Sequence, residues 1–461
     1  MSNNHVKSSH RFGFWTLTFL VVANMVGAGV FTTSGFSMGS LHSPTLVVAA
    51  WVVGGIIAMA GAISYGQLIR RMPESGGEYL FLSRGIHPSV GFVAGWVSLI
   101  AGFTGAIAFA AKTFAIYAVP LILAVPFLGI TEETNWVKEN TVFIHAVVAI
   151  GVIVLAAFLH GIKVNLGVRG QNIAVILKLV LLVLFLVVAA SRLSTIEAKV
   201  DLPPVVGSEL WGAFCQSLVY ISLSYLGFNA AVYVADEVAH ATKTIPRSLI
   251  CGTALVVLMY VLLNIVFVYS ANASEVAGSF GDVAAFSAEK LGGDRFAFFF
   301  RIIISIALFT SVTSMMMAAP RVYAKMADDG LLPGLFRFQN ETPVNAIVLQ
   351  VLLASSIVFW STLEQLLGYL GVTLSLCAAA SVSCLFFVRP PEDSENPNRF
   401  RFASRWHMIP PAFYVLTTLF VVALSCYHME NGSWQLLAAI GTFACGAIYY
   451  FLKPDRVKKP F

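Results

Sequence analysis

Two glycine-containing stretches interrupt long apolar segments of this 461-residue chain. Gly27-Ala28-Gly29 lies about midway along the first segment, and Gly227 lies past the middle of the sixth. Each glycine costs a helix about 1 kcal/mol relative to alanine. The first stretch alone is also explained by close helix packing. Interruptions at matching depths in two segments favour helix breaks, whose free backbone groups line a cavity inside the membrane.

Such breaks present backbone groups that suit a zwitterion. If the first segment starts on the inner side, its outer part begins near Ala28 and Gly29 with free N–H groups, which attract a carboxylate. Its inner part ends near Met25 with free carbonyls, as does the outer part of the sixth segment between Leu223 and Leu226, so an ammonium fits there. An α-amino acid, with its two charges about 3 Å apart, could bridge these ends.

Two lysines lie inside apolar segments. Lys178 is flanked by IAVIL and LVLL, about 10 Å from the start of its helix at 1.5 Å per residue, with no acidic neighbour in sequence. We interpret it as a functional lysine for proton coupling rather than a snorkelling one. Lys112 is compatible with snorkelling or with lining an outer vestibule. No Asp or Glu lies in the core of a segment, which disfavours carboxylate proton carriers, metal ligands and dicationic substrates.

The overall composition is that of a membrane protein. Apolar residues make up 58% of the chain and charged residues 11%, against about 25% charged residues in soluble domains. Mean hydropathy is +0.82, and lipid is the expected solvent. This excludes a soluble enzyme, a disulfide scaffold and a nucleic-acid binder. The six cysteines form no metal-ligand pattern and are expected to be buried thiols; neither a metal nor a cofactor is predicted.

Twelve apolar segments are long enough to cross a bilayer core of about 30 Å as helices. They are continuous rather than alternating, which argues against a barrel. We number them helix 1 to helix 12, in chain order: 13–38, 44–69, 89–119, 142–160, 171–191, 211–235, 248–271, 295–320, 343–360, 363–388, 407–427 and 433–452.

The charges in the connections predict the orientation. Most Lys and Arg residues lie in connections on the same side as the N-terminus, so both termini are expected to be cytoplasmic, in a plasma (inner) membrane. Matching breaks in helices 1 and 6 predict two inverted repeats of five helices. The predicted organisation is an N-terminal tail, a first repeat, a second repeat, two extra helices and a C-terminal tail: 1–12, 13–191, 211–388, 407–452 and 453–461.

Four stretches resemble motifs of the amino acid–polyamine–organocation superfamily, in particular its bacterial amino acid permeases. They read NMVGAGVF in helix 1, RRMPESGGEYLFL after helix 2, LSYLGFNAAVYVADEVAHATKTIPRSL from helix 6, and PRVYAKMADDGLLP after helix 8. The resemblance extends over roughly residues 13–390. It implies an all-α, leucine-transporter-like fold with a 5+5 inverted repeat, broken helices 1 and 6, and alternating access.

The resemblance also implies site residues. Substrate would be bound at helices 1, 3 and 6 by Met25, Gly27, Ala28, Gly29, Gly102, Gly105, Ala106, Leu223, Leu226 and Gly227. Lys178 matches a helix 5 lysine that replaces a sodium ion in sodium-independent relatives. Relatives often have an aromatic gate where this chain has Leu223, so the gate candidates are Leu223, Tyr225 and Phe228. The position that usually pairs with the lysine is Met315, with Thr313 and Ser314 as neighbouring partner candidates.

We therefore expect a secondary active transporter of amino acids, most simply neutral ones, that is sodium-independent and proton-coupled. The alternative within transport is a substrate exchanger. The alternative of another class is an amino-acid sensor that does not complete the transport cycle, and an enzyme is not expected.

Overall fold

The computed structural model describes residues 12–124, 135–161, 168–193, 198–328, 330, 332–337, 343–388, 406–428 and 432–452. Within these ranges the chain is helical, and its only extended pairing is a bridge between Phe12 and Val238. The predicted tails at 1–12 and 453–461 fall almost wholly outside the described residues. The helices that correspond to the predicted segments are Phe14–Met25 and Gly29–Leu41 (helices 1a and 1b), Pro44–Arg71 (helix 2), Pro88–Leu123 (helix 3), Thr141–Gly161 (helix 4), Val168–Leu193 (helix 5), Gly207–Tyr225 and Ala230–Glu237 (helices 6a and 6b), Ala241–Tyr269 (helix 7), Val283–Asp328 (helix 8), Val344–Trp360 (helix 9), Leu363–Ser383 (helix 10), Ile409–His428 (helix 11) and Gly432–Leu452 (helix 12).

Each predicted segment coincides with a helix. Among the described residues, ten helices are long and apolar enough to cross a membrane, and the bent pair 1a and 1b brings the number to eleven. Helix 9 is the remaining one and is shorter, with 17 residues. The largest difference is at helix 8, which begins at Val283 rather than at 295 and kinks at Gly293, where φ is +74°. The two inverted repeats remain a prediction.

Helix 1 is broken at the predicted glycines. Helix 1a ends at Met25, where Val26 has non-helical angles (φ −75°, ψ 84°). Helix 1b begins at Gly29 with its axis bent by 43°. The Gly27 amide folds back onto the Met25 carbonyl at 2.8 Å. As the first residues of a helix, Ala28 and Gly29 have no preceding turn to accept their amide hydrogens, so these N–H groups are available to a ligand.

Helix 6 is broken at the second predicted position. Helix 6a ends at Tyr225, and Leu226 leaves the helix with φ −59° and ψ 146°. Gly227 follows with φ +108°, a conformation that only glycine adopts without strain. Helix 6b then continues as a 3₁₀ helix over Ala230–Glu237.

Helices 3 and 11 each have a further feature. Helix 3 carries a π-helical segment at Ser98–Gly105, and such segments are frequent at functional sites. Helix 11 packs on helices 2 and 6a, with Tyr414 buried among them.

The connection after helix 2 contains a short helix, Gly77–Gly85, which we call the loop helix. The loop helix lies on the side of the bundle where helix 1a starts and helix 2 ends, which we call the N-terminal face.

Candidate functional site

The two helix breaks contact each other. A Cβ atom on Gly227 would lie 2.8 Å from both the carbonyl carbon and the carbonyl oxygen of Asn24. It would also lie 3.1 Å from the amide nitrogen of Met25. Backbone therefore meets backbone at this point, and the breaks of helices 1 and 6 converge on one place.

Helix 1b is docked on helix 6a beside this contact. A Cβ atom on Gly29 would overlap the side chain of Ser224. The Ser224 hydroxyl lies 3.2 Å from that of Thr33, within hydrogen-bond distance. Because Gly29 is buried against helix 6a, a larger side chain would push the helices apart next to the free amides.

Polar side chains from other helices hold helix 1b. The Trp51 indole of helix 2 donates to the Ser34 hydroxyl at 2.9 Å, and Ser34 donates to the Asn264 side chain of helix 7. The Tyr117 hydroxyl of helix 3 donates to the Phe31 carbonyl at 2.8 Å. By contrast Asn24, at the end of helix 1a, is exposed. Side-chain hydrogen bonds thus hold the helix 1b side of the breaks, whereas the end of helix 1a is accessible at Asn24.

The carbonyls at the end of helix 1a already have partners. The Met25 carbonyl accepts from the Tyr260 hydroxyl of helix 7 at 2.6 Å and from the Gly27 amide at 2.8 Å. The Val26 carbonyl accepts from the Lys178 ammonium of helix 5. A carbonyl oxygen has two lone pairs, so the Met25 oxygen is fully used in this structure.

Lys178 is buried, with 7% of its surface exposed. Its ammonium donates a hydrogen bond to the Val26 carbonyl at the helix 1 break, which ties helix 5 to the hinge between helices 1a and 1b. Of the two partner candidates on helix 8, Thr313 donates its hydroxyl within its own helix, to the Thr310 carbonyl at 2.9 Å. Ser314 is half-buried.

The three gate candidates lie in different environments. Leu223 is half-buried. Tyr225 is buried and donates to the Trp51 carbonyl at 3.1 Å, with its ring 5.3 Å from that of Tyr260. Phe228 packs edge-on against Tyr65 at 5.4 Å between ring centroids. Tyr225 and Phe228 therefore pack against helices 2 and 7, and Leu223 is the most accessible of the three candidates.

The three helix 3 candidates differ in the space around them and in their exposure. A Cβ atom on Gly102 would have its closest contacts at 3.7 Å and beyond, so there is room at this position. A Cβ atom on Gly105 would lie 2.5 Å from Leu370 of helix 10, which makes this glycine a close helix contact. Ala106 is half-buried. Of the three candidates, Gly102 and Ala106 thus have accessible surface.

Lys112 contacts a helix end. Its ammonium donates to the Val358 carbonyl at 2.8 Å, in the last turn of helix 9. A cation at a helix C-terminus satisfies a free carbonyl and interacts favourably with the helix dipole. The structure thus gives Lys112 a capping contact, which neither sequence interpretation included.

A buried carboxyl group was missed by the sequence analysis. Glu78, on the loop helix, is only 7% exposed. It accepts hydrogen bonds from the Tyr65 hydroxyl at 2.6 Å and from the Asn229 amide at 3.2 Å. Burial raises the pKa of Glu78 above its ordinary value, and the hydrogen bonds that it accepts oppose this shift without cancelling it. Its place in a polar connection gave no sign of burial. The two glycines before it allow close packing, and they were the sequence feature that could have indicated that this residue is buried.

Comparisons with known proteins agree in pointing to transport. The sequence profile for amino acid permeases matches residues 12–445. The human cystine/glutamate transporter is 25% identical over 448 residues, covering 96% of this chain and 84% of that protein. The human large neutral amino acids transporter small subunit 2 is 23% identical over 452 residues, covering 96% and 80%. The human Asc-type amino acid transporter 1 is 21% identical over 397 residues, covering 84% and 73%.

Proposed function

This chain belongs to the amino acid permease family, and we propose that it carries neutral α-amino acids through the cleft between the breaks of helices 1 and 6. The observation that carries the proposal is the contact of the two breaks, Gly227 against Asn24. It brings the amides that start helix 1b close to the carbonyls that end helix 6a, and inside the membrane such groups can replace the hydration of a zwitterion.

The substrate carboxylate binds at the start of helix 1b, where the amides of Ala28 and Gly29 lack intrahelical partners. The ammonium binds at the end of helix 6a, on the carbonyls of Leu226 and Leu223. This assignment follows because the Met25 carbonyl accepts two hydrogen bonds, from Tyr260 and from the Gly27 amide. The Leu223 carbonyl accepts one, from the Leu226 amide at 3.3 Å, and keeps a second lone pair.

The substrate side chain extends towards helix 3, where Gly102 and Ala106 leave room. Residues 13–38, 89–119 and 211–235 contain no acidic residue. A cationic side chain would therefore lack a counter-charge in helices 1, 3 and 6, and desolvating it would be costly. This is why we propose neutral substrates.

Transport is sodium-independent and coupled to protons. The buried Lys178 ammonium binds the Val26 carbonyl at the hinge of helix 1. Its positive charge takes the place of a bound sodium ion at this point. Loss of its proton would remove the charge-assisted bond and free helix 1a to move. Exchange is the second candidate, since a lysine that keeps its proton throughout would hold the hinge without proton coupling.

We infer a state that is closed on the outer side. With cytoplasmic termini in a plasma membrane, helix 1b faces outward, and its contacts with Trp51, Asn264 and Tyr117 seal that side. Asn24, at the end of helix 1a, is exposed and in this orientation lies on the cytoplasmic side of the break. Alternating access then requires helix 1b to separate from helix 6a at the Gly29–Ser224 contact.

Binding by purified protein tests the site. In a thermal-shift screen with the twenty amino acids, ligand at 100 times its Kd stabilises a folded protein by about 2.7 kcal/mol. We expect stabilisation by a group of neutral α-amino acids, and none by their methyl esters or N-acetyl derivatives, each of which lacks one charge. Stabilisation by polyamines alone, or equal stabilisation by the blocked derivatives, would overturn the zwitterion site.

A further inference from the structure

Glu78 joins three membrane helices from outside the membrane segments. It lies on the loop helix, yet it is buried at the N-terminal face. Its Oε1 atom accepts from the Tyr65 hydroxyl of helix 2 at 2.6 Å and from the Asn229 amide at 3.2 Å. Its Oε2 atom lies 3.4 Å from the Cys377 thiol of helix 10. Asn229 comes two residues after Gly227, so Glu78 is linked directly to the helix 6 break.

No cation lies against this carboxyl group in the part of the chain that the structure describes. Two arginines lie near the loop helix in sequence, but each is engaged elsewhere. Arg84 pairs with Glu74, and Arg71 donates to the carbonyls of Leu385 and Val388 at 2.6 Å. The titratable groups that face Glu78 are neutral phenols and a thiol, from helices 2, 6b, 10 and 11: Tyr65, Tyr233, Cys377 and Tyr414.

A buried carboxylate without a counter-charge is disfavoured, so burial favours the neutral acid here more than at an exposed glutamate. The hydrogen bonds that Glu78 accepts favour the ionised form, but they do not cancel the effect of burial. Oε1 has two good donors, whereas the contact of Oε2 is with a thiol, which is a weak donor. Oε2 is therefore the atom that takes the proton. Burial raises the pKa of Glu78.

We propose that Glu78 is a proton-binding site that latches the loop helix to the helix 6 break at the N-terminal face. The proposal extends the proposed function, because the latch controls the region that must move when substrate leaves on this side. It is distinct from Lys178, which acts at the helix 1 hinge.

The protonation state of Glu78 determines whether the loop helix stays in place. With its proton, Glu78 is neutral and stays among Tyr65, Asn229 and Cys377. Without its proton, the carboxylate is stabilised by water and leaves the pocket. Gly77 packs so closely on Tyr233 of helix 6b that a Cβ atom would overlap the ring, so movement of the loop helix releases helix 6b. A lower proton concentration at this face therefore favours opening.

Infrared spectroscopy of the full chain in lipid nanodiscs tests the site without any transport measurement. At about pH 6, an ordinary glutamate with a pKa of about 4.3 is ionised. We expect the difference spectrum of wild type minus Glu78→Gln to show a protonated carboxyl band that disappears as the pH rises. Glu74→Gln, an exposed position on the same connection, is the matched control and should keep the band. A carboxylate band in place of the protonated one at about pH 6 would overturn the proposal.

Thermal unfolding gives a second readout. A raised native-state pKa means that the folded protein binds the proton more tightly than the unfolded chain does. Its stability is then greatest below the ordinary glutamate pKa and falls as the pH rises towards the native-state value. The melting temperature of wild type relative to Glu78→Gln should fall over this range, with Glu74→Gln following wild type. A melting-temperature difference between wild type and Glu78→Gln that stays constant with pH would contradict the latch. So would a wild type whose melting temperature rises relative to Glu78→Gln as the pH rises.

Two further results separate possible failures. If Glu78→Gln does not fold, Glu78→Asp keeps an ionisable group and should shift the carboxyl band rather than remove it; an unmoved band would assign it to another residue and refute the site. Amino acid uptake is measured in parallel with wild type. A negative infrared result with intact uptake refutes the latch alone, and a positive infrared result with no uptake supports the latch while refuting the proposed function.

Discussion

Replacing Gly227 by alanine tests whether the contact between the two helix breaks is required for transport. The substitution adds one methyl group at φ +108°. The added Cβ atom would lie 2.8 Å from the carbonyl group of Asn24. Both effects act at the site where we place the substrate, and neither changes charge or polarity.

The expected magnitude has two parts. Left-handed backbone costs a non-glycine residue about 1–2 kcal/mol. Forcing a methyl group into a packed contact costs about 1–3 kcal/mol more, and here the neighbour is backbone, which cannot rotate away. The contact part alone corresponds to an effect of about 5- to 150-fold on the population of the correctly assembled site.

Gly293→Ala is the matched control. Gly293 also has a positive φ, +74°, but a Cβ atom there meets nothing within 4 Å. The control carries the backbone cost without the contact. The assay is initial amino acid uptake into proteoliposomes at equal reconstituted protein, together with the melting temperature of each variant.

We expect Gly227→Ala to lose at least fivefold more uptake than Gly293→Ala, because only the first substitution pushes the breaks apart. Equal uptake in the two variants, with equal melting temperatures, would refute the claim that the abutting breaks form the site.

Three further substitutions test other contacts. Gly29→Leu should abolish substrate-induced thermal stabilisation by forcing helix 1b off helix 6a, whereas Gly39→Leu, where a Cβ atom meets nothing within 4 Å, should retain it; stabilisation of both would contradict the site. Lys178→Ala should reduce uptake at least tenfold and flatten its pH dependence, because a hydrogen bond from a charged group contributes about 1.5–3 kcal/mol; an unchanged pH profile would make this lysine structural. Lys112→Met should lower the melting temperature by removing the cap on the Val358 carbonyl while uptake persists, and a loss of uptake at unchanged stability would place Lys112 in the transport path instead.

The helix positions and the breaks were predictable because they depend on local sequence. An apolar run of about 20 residues has few alternatives to a spanning helix, and each of the twelve runs coincides with one. The breaks at Gly27–Gly29 and Gly227 were predictable because glycine lowers helix propensity where it stands. Helix 8 was predicted too short because its first turns contain Glu289, Lys290, Asp294 and Arg295, which end an apolar run without ending a helix.

The contacts between distant helices were not predictable from one sequence. Tyr260 satisfies the Met25 carbonyl from a helix more than 230 residues away in the chain, and no local pattern marks such a pairing. No local sequence pattern predicts the contact of Tyr225 with Trp51 of helix 2 either. Glu78 was missed for a similar reason, because an acidic residue in a polar connection is usually solvated. Its burial depends on donors from Tyr65 and Asn229, which only the fold brings together.

Uptake of a neutral amino acid into proteoliposomes under an imposed pH gradient tests the central claim most directly. The vesicles contain no amino acid and no sodium, and an acidic exterior supplies the driving force. We predict accumulation above the external concentration that collapses when a protonophore removes the gradient. Uptake that is indifferent to the gradient and appears only in vesicles preloaded with amino acid would contradict proton-coupled symport and establish exchange.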